Sequence, residues 1–97
     1  MKLRYTHPAL ADLDEILAYI AVRSPLGAER VKARIKALTE LLVRFPRIGT
    51  PTEDPCIRRL VTSPYPYLIF YEVTETEVII HAVRHGARDP SATPGPA

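Results

Sequence analysis

The chain is poor in the residues that most often build cofactor and metal sites. Its 97 residues include one cysteine, four glycines and no tryptophan. The single cysteine, Cys56, excludes both an internal disulfide framework and a zinc site made of cysteines. The glycines are not clustered, and no phosphate-cradling or dinucleotide-binding motif occurs. His7, His81 and His85 are too dispersed to indicate a metal site, so we expect neither a metal nor a cofactor.

Long apolar runs are absent as well. No stretch approaches the roughly 18 apolar residues of a membrane-spanning helix, and no apolar run follows Lys2 and Arg4 as it does in a signal peptide. We therefore expect a cytoplasmic protein without a membrane partner. The length predicts one domain over residues 1–90. Residues 91–97 contain only Ser, Ala, Thr, Gly and Pro, and we expect them to be a disordered tail.

The net charge is small, but it is unevenly distributed. The chain carries 13 Lys and Arg against 11 Asp and Glu, for a net charge of +2. Residues 26–50 hold six basic and two acidic side chains, whereas residues 51–75 hold two basic and four acidic ones. This pattern is typical of a solvated helix face, and it also suits a contact surface for an acidic partner.

Hydrophobic periodicity predicts six elements. Leu10, Leu13, Ile16, Leu17 and Ile20 recur at helical spacing, as do Val31, Ile35, Leu38, Leu42 and Phe45. Alternating or β-branched and aromatic segments predict strands. The predicted elements are strand 2–6, helix 8–23, helix 26–45, and strands 57–63, 67–73 and 77–83.

Short signals mark the ends of the two predicted helices. Thr6 precedes His7-Pro8, and Ser24 precedes Pro25; each is a capping residue next to a proline that the first helical turn accepts. Asp12 lies in an early turn of the first helix, where negative charge suits the helix dipole. Because the connection at Ser24 is very short, the helices should form a hairpin.

The order β-α-α-β-β-β predicts an α+β fold. Three consecutive strands with short connections favour an antiparallel meander. The apolar stripe of the helical hairpin needs a sheet face to cover. We therefore expect the hairpin to pack on one face of a small, mainly antiparallel sheet.

The segment Arg84-His85-Gly86-Ala87-Arg88-Asp89 is the most unusual cluster of polar residues. It follows the last predicted strand, and Gly86 permits a turn with positive φ. Strict alternation places Arg84 on the face of Val78 and Ile80, and His85 on the other face. The cluster suits an ion pair with a capping histidine, and it also suits an anion-binding site, because arginine forks match phosphate oxygens.

Aromatic and basic side chains also lie close together on two predicted strands. The aromatic residues are Tyr65, Tyr67, Phe70 and Tyr71, and Arg58 and Arg59 precede them. Such a sheet can bind RNA by stacking, or it can form a protein interface, where Tyr and Arg are enriched. His81, beside aliphatic residues in the middle of a strand, is interpreted as a half-buried sheet residue.

Taken together, these segments resemble the ParE branch of the RelE/ParE toxin superfamily. The resemblance covers about residues 2–90 and depends on the order of several stretches. These are Phe45-Pro46-Arg47-Ile48-Gly49 after the second helix, Arg58-Arg59-Leu60, Tyr65-Pro66-Tyr67-Leu68-Ile69-Phe70-Tyr71, and the Arg84-to-Asp89 ending.

The resemblance implies a toxin of a bacterial type II toxin–antitoxin system. Such a toxin arrests growth by poisoning DNA gyrase, and a ParD-like antitoxin folds around it in a hetero-oligomer. The implied target contacts are Arg58, Arg59, Arg84, His85 and Arg88, none of them catalytic. For the antitoxin, the helical hairpin and the sheet suggest Leu13, Leu17, Ile20, Val31, Ile35, Leu38, Tyr67 and Tyr71 as contacts.

A RelE-like ribosome-dependent mRNA endoribonuclease is the alternative. Metal-free RNA cleavage needs a base, an acid and cations for the phosphate, and His85 with Arg84 and Arg88 could supply them. The sequence departs from the RelE pattern because no tyrosine follows Arg88. A third interpretation is an adaptor domain that only binds its partner.

Overall fold

A computed structural model describes residues 1–86 of the protein. Predictions that fall on Arg88 and on the tail 91–97 lie outside the described residues. The elements are β1 (Lys2–Tyr5), α1 (His7–Arg23), α2 (Pro25–Arg44), β2 (Thr50–Pro51), β3 (Arg58–Val61), β4 (Tyr67–Val73) and β5 (Glu77–His85).

Both helices begin at the predicted caps. The Thr6 hydroxyl accepts a hydrogen bond from the Ala9 N–H at 3.2 Å, and the Ser24 hydroxyl accepts one from the Gly27 N–H at 2.9 Å. Ser24 also ends α1, because its own N–H donates to the Ile20 carbonyl at 2.8 Å. One residue therefore separates the helices, which confirms the predicted hairpin.

The sheet has five strands in the order β1-β5-β4-β3-β2. Strands β3, β4 and β5 form the predicted antiparallel meander, to which β2 adds antiparallel to β3 at one edge and β1 adds parallel to β5 at the other. The two-residue strand β2 was not predicted, because Pro51 and its neighbours suggest a loop. A proline is accepted there because β2 is an edge strand.

The core lies between the helices and one face of the sheet, as the α+β prediction requires. Helix α2 contributes Val31, Ile35, Leu38 and Leu42, and the sheet contributes Tyr67, Ile69, Tyr71, Val78, Ile80 and Val83. The stripe of α1 differs from the prediction at one position. Leu10 is 45% exposed, and the small Ala9 is fully buried in its place.

A β-bulge interrupts the alternation of β5. Phe70 pairs with Ala82 and Tyr71 with Ile80, so His81 is the extra residue. Beyond the bulge the faces are exchanged: His85 pairs with Tyr67 on the helix-covered face, and Arg84 pairs with Leu68 on the outer face. The assignment of these two side chains by strict alternation is therefore wrong.

The chain shows no membrane span in the part that the structure describes, because neither helix is long and apolar enough to cross a bilayer.

Candidate functional site

The turn after α2 is fastened to the sheet by a buried tyrosine. The Tyr71 hydroxyl donates to the Pro46 carbonyl at 2.8 Å and accepts from the Gly49 N–H at 2.9 Å. Burial raises the pKa of Tyr71, while the Gly49 N–H and the nearby Arg58 charge partly oppose this shift. The phenol therefore stays neutral and holds the turn at physiological pH.

Arg58 fastens the same turn from the neighbouring strand. Its Nη1 donates to the Gly49 carbonyl at 2.8 Å and to the Arg47 carbonyl at 3.2 Å. Arg59 pairs with Phe70 and lies on the outer face. The structure thus separates the two arginines that the sequence grouped as target contacts, and it gives Arg58 a positioning role.

A cleft of about 250 Å³ opens beside this turn. Its walls are formed by Arg47, Pro55, Cys56, Arg58, Glu72 and Val73. The Cys56 side chain is a free, exposed thiol. The Glu72 carboxylate lies 2.9 Å from His81 Nε2, so His81 is a sheet residue with a carboxylate partner. Sequence reasoning missed Arg47 and Glu72, because the folded chain alone brings them to one cleft.

The end of β5 is fastened to α1 by Asp12. Its Oδ2 accepts a hydrogen bond from the Val83 N–H at 3.1 Å and lies 3.6 Å from Arg84 Nε. Strand β1 pairs with β5 only as far as Ile80, so the Val83 N–H lies on an edge of β5 that has no neighbouring strand. Asp12 provides the acceptor for this N–H. The sequence placed Asp12 in the first helix but held no signal for this contact.

His85 has a different environment from Arg84. Its ring meets the Tyr67 ring edge-on, with the centroids 5.5 Å apart. Gly86 does not adopt the positive φ that glycine permits, since no described glycine has one. The chain leaves the strand instead through a hydrogen bond from the Gly86 N–H to the Pro66 carbonyl at 2.7 Å.

Most of the predicted antitoxin contacts lie in the core. Val31, Ile35, Leu38, Tyr67 and Tyr71 are buried, and Leu13, Leu17 and Ile20 are partly buried against them. Large exposed apolar side chains lie elsewhere, and six of them fall into two groups. Tyr19, Val22 and Leu26 surround the tip of the hairpin, and Leu41, Phe45 and Ile48 surround the end of α2.

Replacing Asp12 by alanine should lower the free energy of unfolding by about 1–2 kcal/mol, because the edge N–H of Val83 loses its acceptor. The exposed ion pair with Arg84 adds little. Urea unfolding measures the change, and Asp14→Ala, an exposed carboxylate on the same helix, is the matched control. Equal stabilities of the two variants would contradict the proposed role of Asp12.

The described residues contain no group of His, Cys, Asp and Glu side chains that could hold a metal ion.

Comparison with known proteins identifies the family. A model of the ParE toxin of type II toxin–antitoxin systems, parDE, matches residues 3–90. The chain is 41% identical over 87 residues to Toxin RelE2 of Caulobacter vibrioides, covering 87% of this chain and 93% of that protein. It also superposes with a TM-score of 0.77 on a chain of the chromosomal ParDE toxin–antitoxin system from P. aeruginosa, at 28% identity, covering 88% of this chain and 95% of that one. The chain therefore belongs to the ParE toxin family of type II toxin–antitoxin systems.

Proposed function

We propose that this toxin arrests growth in the cytoplasm by poisoning DNA gyrase, and that a ParD-like antitoxin neutralises it in a hetero-oligomeric complex. The observation that carries the proposal is the match of the parDE toxin family over residues 3–90. The likeness to a chain of a ParDE system supports the antitoxin as a partner.

The geometry at the end of β5 favours a contact surface over a nuclease centre. An acid, a base and phosphate-binding cations must converge on one substrate to cleave RNA. Arg84 and His85 lie on opposite faces of the sheet beyond the bulge, and Arg84 lies beside Asp12. This arrangement favours a role for Arg84 and His85 as contacts with a macromolecular target, and Arg59 lies on the same outer face as Arg84.

A supercoiling assay with purified gyrase tests the proposal. We expect antitoxin-free toxin to inhibit supercoiling of relaxed plasmid at near-stoichiometric amounts and to accumulate cleaved DNA, whereas the toxin–antitoxin complex should have no effect. His85→Ala should raise the inhibitory concentration by about tenfold, which is the usual cost of one interface contact. A folded toxin that arrests growth but leaves gyrase untouched would overturn the proposal.

The second candidate is a ribosome-dependent mRNA endoribonuclease. The name of the Caulobacter relative, Toxin RelE2, favours it. In that case toxin added to translating ribosomes should cleave the bound mRNA, and His85→Ala should reduce cleavage by about 100-fold or more, as loss of a general acid or base does. Primer extension on the mRNA separates the two mechanisms, because a gyrase poison leaves the message intact.

A further inference from the structure

We infer that the end of α2 and the adjoining cleft bind an acidic, apolar segment of the antitoxin. The inference rests on the proposed toxin–antitoxin function and names the surface and the chemistry of the segment. We call this surface the α2-end patch; it comprises Leu41, Arg44, Phe45, Arg47 and Ile48, with the cleft beside it.

Three large apolar side chains of the patch are exposed without an evident role in the fold. Leu41 is 38% exposed, Phe45 52% and Ile48 46%. The Phe45 N–H donates to the Leu41 carbonyl at 2.8 Å, and the Ile48 N–H donates to the Phe45 carbonyl at 3.3 Å. These backbone hydrogen bonds place the three residues on successive turns of the chain at the end of the helix. Clustered exposed apolar side chains mark interaction sites more often than single ones do.

The patch is also held in place before any partner arrives. Tyr71 and Arg58 bind the backbone of the turn from Pro46 to Gly49 through four hydrogen bonds. Ile48 lies within this turn and Phe45 directly precedes it. A rigid surface loses little conformational entropy when it binds, which favours docking of a flexible segment.

The charge of the patch selects an acidic partner. Within residues 1–86, neither Arg44 nor Arg47 forms an ion pair with a carboxylate, and Arg44 lies 5.7 Å from the centroid of the Phe45 ring. In the cleft, Arg47 and Arg58 oppose only Glu72, whose carboxylate is engaged by His81. A carboxylate of the partner would complete this arrangement, since arginine forks match carboxylate oxygens.

The same charge argues against a second copy of the toxin as the occupant. A two-fold interface places the same patch on both subunits. Arg44 and Arg47 would then face the corresponding arginines of the other copy, and like charges in contact oppose binding.

The cleft, at about 250 Å³, is also large enough to admit a side chain from an extended segment.

The experiment measures binding of the full-length toxin to a purified ParD-like antitoxin. We expect Phe45→Ala and Arg47→Glu each to weaken binding by about tenfold or more, as loss of a central contact does. The matched controls are Leu26→Ala, an exposed apolar residue at the other end of α2, and Arg30→Glu, an exposed arginine on the same helix. Both controls should stay within about threefold of wild type.

Thiol labelling of wild-type toxin gives a second readout that needs no substitution. Cys56 is exposed on the cleft wall, so N-ethylmaleimide should modify it readily in free toxin and about tenfold more slowly in the complex. Antitoxin binding with Cys56 still fully reactive, and with the two patch variants matching their controls, would overturn the inference while leaving the proposed function in place. Failure of wild-type toxin to bind the antitoxin at all would instead overturn the antitoxin part of the proposed function, and the inference with it.

Discussion

Substituting alanine for Gly49 should lower the free energy of unfolding by about 2–4 kcal/mol, because the surrounding atoms leave no space for a side chain. A Cβ atom there would lie 2.5 Å from the Tyr71 hydroxyl oxygen and 2.9 Å from the Arg59 carbonyl oxygen. The Tyr71 ring is fully buried and cannot swing away, and the carbonyl belongs to a paired strand. Either the turn or the tyrosine has to move, and the hydrogen bond between them is lost.

Gly86→Ala is the control for this substitution. A Cβ at position 86 would lie 3.3 Å from the Pro66 carbonyl oxygen, which requires a shift of only a few tenths of an ångström. Urea unfolding of both variants should show a far larger loss at Gly49. If the two variants lose the same stability, close packing around Tyr71 is not what requires glycine at position 49.

Tyr71→Phe should lower the free energy of unfolding by about 1–3 kcal/mol at neutral pH, because the buried Gly49 N–H and the Pro46 carbonyl both lose their partner. The loss should depend on pH. Burial raises the pKa of Tyr71 above its usual value of 10.0, so the neutral phenol stabilises the fold fully below that pH. This contribution is lost as the pH rises through the raised pKa.

The variant cannot titrate at position 71, so its stability deficit relative to wild type should shrink above pH 10.0. Urea unfolding of both proteins from about pH 8 to about pH 11 measures the difference. Tyr5→Phe is the control, since the Tyr5 hydroxyl has no hydrogen bond to another described residue. A deficit that stays constant across this range would show that the ionisation of Tyr71 is not linked to folding.

Local patterns were sufficient for the elements and their order. The helices begin at the caps Thr6 and Ser24, as the capping signals predict. Each hydroxyl accepts a hydrogen bond from an N–H of the first turn, and proline is tolerated in that turn because it has no N–H to leave unpaired. The meander follows from strands that are joined by short connections. The family resemblance, which depends on the order of several local stretches, was confirmed by the match over residues 3–90.

The candidate surfaces were less accessible to sequence reasoning. Periodicity finds apolar residues, but it does not distinguish those that cover the core from those that face a partner. Ile35 and Phe45 belong to one apolar stripe in the sequence, yet Ile35 is buried and Phe45 is 52% exposed because α2 ends at Arg44. The antitoxin contacts suggested by the stripe therefore include many core residues.

By itself, the sequence determined the two capped helices, the meander and the family, since each depends on residues near one another in the chain. The tertiary structure alone decided that β1 pairs parallel to β5, that a bulge at His81 exchanges the faces of Arg84 and His85, and that Tyr71 holds the turn at Gly49. These contacts join residues of different elements, and they form only when packing brings the segments together. A period-2 pattern also assumes an unbroken ladder, so one extra residue in β5 was enough to reverse which face its last side chains occupy.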